Sequence, residues 1–388
     1  MSHTPAAPRP LLPAVEPAVP PAPERLLSLD VFRGLTVAAM LLVNNPGTWS
    51  AVYDPLEHAA WHGWTPTDLI FPFFLFIVGV SMAYSLLPRR ERGDAPGPLL
   101  GKAARRAAIL VGLGLLLAAF PYYTLDLSHL RLPGVLQRIG LAFLLASAVV
   151  LFTRPRAQAG ITAALLLGYW AAMMLVPVPG HGAGNLTKDG SLAAYVDRAV
   201  LGTNHLWASA KTWDPEGLLS TLPAVATVLL GVFVGRWMRS ERSAAERLVG
   251  LFLAGNAAVA AGWMWNEVFP INKNLWTSSY VLFTAGLAMH TLAVCYWLVD
   301  VRGRRRWAMP FAWFGMNAIF AFFFSGVMAR LLNLVKVDGR PLKQVIFEGA
   351  FGSWLPAHDA SLLFAVCFVA LWTGIVWAMH RRRWYWKV

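Results

Sequence analysis

The feature that most limits what this chain can become is a recurrence of apolar segments, each near the roughly 20 residues a helix needs to cross a hydrocarbon core. About ten are readable, centred on Val37, Leu75, Leu113, Phe143, Leu166, Leu229, Ala257, Gly286, Phe320 and Val369. Hydrophobic residues make up 57% of the 388 and charged residues only 14%, against about 25% in soluble domains. A soluble fold of that make-up would expose large apolar patches and aggregate. In a bilayer a helix satisfies its own backbone groups. The expected fold class is therefore all-α, a polytopic transmembrane helical bundle of about ten spans. The 18 tryptophans suit the bilayer interfaces.

A net charge of +13 looks like a nucleic-acid signal until its location is read. The basic residues fall in short runs between apolar segments: Arg89 to Arg92, Arg154 to Arg156, Arg236 to Arg247, Arg302 to Arg306 and Arg381 to Arg383. No run interleaves basic and aromatic residues along a soluble face, so no nucleic-acid partner is expected. The runs follow the second, fourth, sixth and eighth spans and the last one. The positive-inside rule then puts both termini in the cytoplasm and the Asn44 to Asp68 loop outside. Residues 1–25, rich in Pro and Ala, read as a disordered cytoplasmic tail without the pattern of a cleavable signal. Residues 26–388 read as one membrane domain. Cys295 and Cys367 lie within apolar segments as packing residues, with no disulfide framework.

Chemistry-bearing groups gather around the loop between the first two spans. Thr65-Pro66-Thr67-Asp68 is a helix start in which Asp68 caps or serves a site. His58 sits just outside it, and an imidazole exchanges protons near neutrality. His62, four residues on, pairs with His58 if the segment is a helical turn. Without an H-E-x-x-H pattern no metal is expected. Asn44 and Asn45 end the first span, where an amide caps a helix or donates to a developing oxyanion. Gln137 and Arg138 open the fourth span. Arg138, about one turn in, either lines a cavity, snorkels, or pairs with Asp68. Lys273 and Asn274 add polar groups at the same face. The loop from about Pro179 to Glu216 is long enough to cap a site. At the other face, Asp30 and Arg33 form an i,i+3 pair worth a few tenths of a kcal/mol or a grip on an anion. Lys102, Arg105 and Arg106 are anchors or a seat for phosphates.

The runs Leu29-Asp30-Val31-Phe32-Arg33-Gly34, Val43-Asn44, His58 through Pro72, Phe76-Ile77-Val78-Gly79, Pro133 through Ile139 and Asn272 through Thr277 together resemble the heparan-α-glucosaminide N-acetyltransferase family. The resemblance covers nearly all of the membrane part. It implies a transmembrane acyltransferase that takes acetyl from cytosolic acetyl-CoA and delivers it to a glucosamine-type amino sugar across the bilayer. It implies catalytic roles for His58 and Asn44. Substrate contacts are then expected from Asn45, His62, Asp68, Gln137, Arg138, Lys273 and Asn274, and contacts to the CoA head from Asp30, Arg33, Lys102, Arg105 and Arg106. Animal members carry Asn where this chain has His62. The expected setting is a bacterial inner membrane, with a homodimer as one arrangement. Two other readings share these residues: a secondary transporter of a small anionic or sugar substrate, and a sugar O-acyltransferase. The first predicts flux without acyl product; the second predicts an alkali-labile ester.

Overall fold

The protein, seen in a computed structural model, is described over residues 26–122 and 126–386; the expected tail over residues 1–25 lies outside them. Fourteen helices account for the described architecture: α1 (Leu27–Asn44), α2 (Ile70–Ser85), α3 (Leu87–Glu91), α4 (Pro96–Ala119), α5 (Val135–Phe152), α6 (Pro155–Leu175), α7 (Leu192–Leu201), α8 (Thr221–Met238), α9 (Ala244–Trp265), α10 (Ser278–Tyr296), α11 (Met309–Met316), α12 (Ala318–Leu334), α13 (Leu342–Phe347) and α14 (Ala357–Arg381). A two-residue hairpin, Lys336–Val337 against Arg340–Pro341, is the strand content among the described residues.

Each of the ten expected span centres falls in one of these helices. Eight helices are long and apolar enough to cross a membrane, and α11 with α12, bent by 75° at Asn317, makes nine. The expected count of ten is corrected to eight or nine for a physical reason. Helix α4 is 24 residues long, but Lys102, Arg105 and Arg106 fall in its first half and hold its apolar stretch below the length of a clean span.

The core lies along α1, α2, α5, α8 and α10. In α8, 72% of the apolar window is buried, against 17% in α9 and 28% in α6 and α14. Close approach explains the centre. A Cβ on Gly79 would sit 1.9 Å from the carbonyl oxygen of Val228, and one on Gly231 would sit 2.1 Å from that of Phe76. Here α2 and α8 touch backbone to backbone, which small residues alone permit. Cys295 is buried as expected, while Cys367 faces outward.

Helix α2 fixes the long axis of the bundle. One end adjoins His58 and Asp68; the other leads into α3 and its arginines. Sixteen residues separate the two by about 24 Å of helix rise.

Candidate active site

The short turn Pro66–Leu69 that leads into α2 begins as expected. Asp68 Oδ2 accepts the Thr65 N–H at 3.0 Å, closing the cap. The same oxygen accepts the Ala59 N–H at 3.0 Å. The other oxygen, Oδ1, lies 2.7 Å from His58 Nδ1. The capping role of Asp68 is thus realised through Oδ2, and Oδ1 is left to hold His58. Asp68 is 1% exposed and the His58 side chain 50%, so a buried carboxylate backs an accessible imidazole. With the carboxylate ionised, Nδ1 is the donor and Nε2 is left with its lone pair.

Lys273 reaches the same pair from the turn between α9 and α10. Its Nζ is 3.2 Å from His58 Nε2 and 3.3 Å from Nδ1, and 4.0 Å from Asp68 Oδ1. Asn272 builds the turn: its Oδ1 accepts the Leu275 N–H at 2.9 Å and its own N–H goes to Thr277 Oγ1 at 3.0 Å. Burial holds the Lys273 ammonium below its ordinary pKa, against the pull of Glu216 and Asp68.

A cavity of about 740 Å³ opens over this group and is lined by His58, Asn44, Lys273 and Asn274. Its far wall comes from the loop after α6, through Trp207, Trp213 and Glu216. Arg131 holds that wall, with Nε and Nη2 on the two oxygens of Asp214 at 2.8 and 2.7 Å and Nη2 on Glu216 at 2.6 Å. The long loop therefore forms one wall of this cavity. Trp213 stands between Trp61 and Trp207, with ring centroids 5.0 and 5.6 Å away.

A deeper cavity of about 980 Å³ lies between α1, α4, α5 and α12. Met40, Asn44, Arg131, Val135 and Trp207 line both cavities, so the two are neighbours across Asn44. Its floor is apolar, at Leu41, Leu117 and Phe322. From Leu41 back to Arg33 is eight residues of α1, about 12 Å of helix rise, and neither cavity is lined by Arg33.

The two asparagines divide the roles the sequence left open. Asn45 is buried and caps α1, its Nδ2 donating to Leu41 O at 2.8 Å. Asn44 is exposed and faces both cavities, and its amide has no hydrogen bond to any described residue. The two histidines also part. The segment from Glu57 to Thr65 is not helical, so the expected pairing of His58 with His62 on one turn does not form. His62 Nδ1 instead faces Asn272 Nδ2 at 3.3 Å, and partial burial lowers its imidazole pKa.

Gln137 is buried on the deep cavity wall, its side chain filling the space where Gly114 and Gly134 have none. Arg138 is wholly buried and does not pair with Asp68. It donates to Gly217 O at 2.9 Å and to Ser220 Oγ, with its guanidinium 5.1 Å from the Trp276 ring centre. That position ties α5 to the start of α8. At the opposite end, Arg33 bonds Asp30 Oδ1 at 2.9 Å, Gly315 O at 3.2 Å and Ser81 Oγ at 2.7 Å. Lys102, Arg105 and Arg106 are exposed on α4, and Arg106 lies 5.0 Å from the Phe143 ring centre. None of these five lines the cavities described here.

Reading the sequence missed Arg131, Glu216, Trp207 and Trp213. The available signal was two tryptophans six residues apart in a polar loop.

An all-helical, polytopic membrane protein with a carboxylate-backed histidine on a cavity wall is the class that fold and site define. The sequence profile described as heparan-alpha-glucosaminide N-acetyltransferase, catalytic, matches residues 25–263, and the chain belongs to that family, which classes it as an acyltransferase. The human heparan-alpha-glucosaminide N-acetyltransferase is 31% identical over 423 residues, covering 94% of this chain and 60% of the human protein. The mouse protein of the same name is 29% identical over 416 residues, with the same coverage. The chain thus spans about 60% of the length of the relatives it matches.

Proposed function

We propose that the protein transfers acetyl from acetyl-CoA to the amine of a glucosamine-type sugar bound in the His58 cavity. The observation that carries this reading is that His58, backed by buried Asp68, and the unengaged amide of Asn44 share one cavity wall, in a chain of an acyltransferase family. The acceptor amine attacks the thioester carbonyl and its proton passes to His58 Nε2. Asn44 donates to the oxyanion of the tetrahedral adduct. Collapse breaks the C–S bond, leaving an amide and CoA, whose thiolate takes the proton back from His58. General-base help is worth about 10²–10⁴ in rate, and one oxyanion donor about 10²–10³ in kcat.

The same reading takes both termini and the arginine runs as cytoplasmic, as the positive-inside rule requires, with the His58 cavity facing outward. The donor then approaches from the end that holds Asp30, Arg33, Lys102, Arg105 and Arg106. The thioester arm follows α1 to the deep cavity and Asn44. Of the expected substrate contacts, Lys273 and Asn274 face the acceptor cavity, Asn45 and Gln137 line the neighbouring deep cavity, and His62 and Arg138 stand behind them through Asn272 and Ser220. A bacterial inner membrane and a homodimer belong to this proposal as well.

The test is purified protein with acetyl-CoA and a panel of amino sugars, reading free thiol and acetylated product. Thiol release matched by an alkali-stable amide supports the reading. An alkali-labile ester, or uptake of sugar by vesicles with no product, overturns it.

A further inference from the structure

A third cavity, of about 750 Å³, lies at the opposite end of α2 from His58. Three stretches that are far apart in sequence converge on it: α3, the α5–α6 junction, and the end of α8. Each brings arginine, namely Arg90, Arg154, Arg236 and Arg239. The one carboxylate on the wall is Glu91, and Arg239 already holds it in a two-point contact at 3.0 and 2.6 Å.

The remaining three arginines have no such partner. Arg90 and Arg154 are exposed, and their side chains make no hydrogen bond or ion pair to any described residue. Arg236 Nη1 is closed off from solvent without a hydrogen-bond partner. Four guanidiniums against one carboxylate repel one another unless an anion sits among them, and planar guanidinium forks match phosphate oxygens. The N-terminus of α6 at Pro155 also lines the cavity, and its free N–H groups favour negative charge. Orientation in the membrane needs only that these residues be basic. It does not need three of them gathered round one hollow with a closed-off, unmatched Nη1.

We propose that this cavity binds a phosphate-bearing anion of two or more negative charges. It is distinct from the α1 and α4 basic residues already described. The group comes either from a phospholipid headgroup of the surrounding leaflet or from a soluble phosphorylated nucleotide. The nucleotide source rests on the acyl-CoA reading above; the lipid source does not.

The experiment uses the full-length protein in two arms. In the first, desulfo-CoA binding is followed by calorimetry in neutral detergent. In the second, native mass spectrometry counts retained cardiolipin, with its two phosphates, against phosphatidylcholine after reconstitution in mixed vesicles. The variant is Arg90→Ala with Arg154→Ala, which leaves Glu91–Arg239 and the helix packing untouched. In the arm that matches the true source, the double substitution weakens binding at least tenfold, and so does raised salt. His58→Ala leaves that binding intact, so a failure of the acyl-transfer reading is separable from a failure here. If the double variant matches the parent in both arms, or the parent prefers neither anionic probe, the site does not exist as proposed.

Discussion

The two ends of α2 make opposite use of charge. At the His58 end, charges are matched and largely buried: Asp68 serves His58, Ala59 and Thr65 while Lys273 stands beside it, and Arg131 is held by Asp214 and Glu216. At the arginine end, one carboxylate faces four guanidiniums. A matched set is pre-organised, since its members already hold one another in place before anything binds. An unmatched set gains order when a counter-charge arrives. On the readings proposed above, the difference separates a place where bonds are remade from a place where a ligand is gripped.

The largest expected effect tests the first half of that contrast. His58→Ala should lower acetyl transfer by about 10²–10⁴ with thermal stability nearly unchanged, because the ring is half exposed. A variant that unfolds would make His58 a structural residue. Next, Asn44→Ala should cost about 10²–10³ in kcat with little change in melting temperature. Asn45→Ala should do the reverse, losing the α1 cap and a degree or two of melting temperature with activity largely kept. Equal effects from the two would erase the distinction drawn from their hydrogen bonding. Smaller still, Arg105→Ala should raise the KM for acetyl-CoA by less than about tenfold with kcat unchanged, as expected of an exposed charge. A fall in kcat would move the donor contact closer to the chemistry.

The last effect concerns the loop that walls the cavity, and it is read in stability rather than in rate. Burial pushes the Asp197 carboxyl up to about 7, although the Leu218 N–H draws it the other way. Its unfolded value is about 3.9. The folded state therefore holds its proton more tightly, and Asp197 lowers stability progressively as pH rises from about 4 through 7. Asp197→Asn, which keeps an acceptor for Leu218, should melt a few degrees higher than the parent at pH 8 and at the same temperature near pH 4. A melting curve series across that range decides it, and parallel curves would mean that Asp197 keeps its charge when folded.

Local chemistry explains which parts were readable in advance. The Thr65–Asp68 cap, the Asp30–Arg33 pair and all ten helix centres depend on neighbours within a turn, and each appeared where expected. The parting of His58 from His62, and of Asn44 from Asn45, depends on an irregular segment and on partners such as Leu41 O and Asn272, which spacing cannot supply. Arg131 and Glu216 meet across 85 residues, so only the folded loop brings them together. In the sequence, the arginines of α3, α8 and the α5–α6 junction carry only an orientation signal, because each run is short. Their convergence is a property of three helix ends.

The backbone contact between Gly79 and Gly231 has a consequence for traffic through the molecule. With two main chains pressed together and no side chain between them, that flank is sealed to anything as wide as a methylene chain. Space of that width stands instead between α1, α4, α5 and α12, beside Gly114 and Gln137.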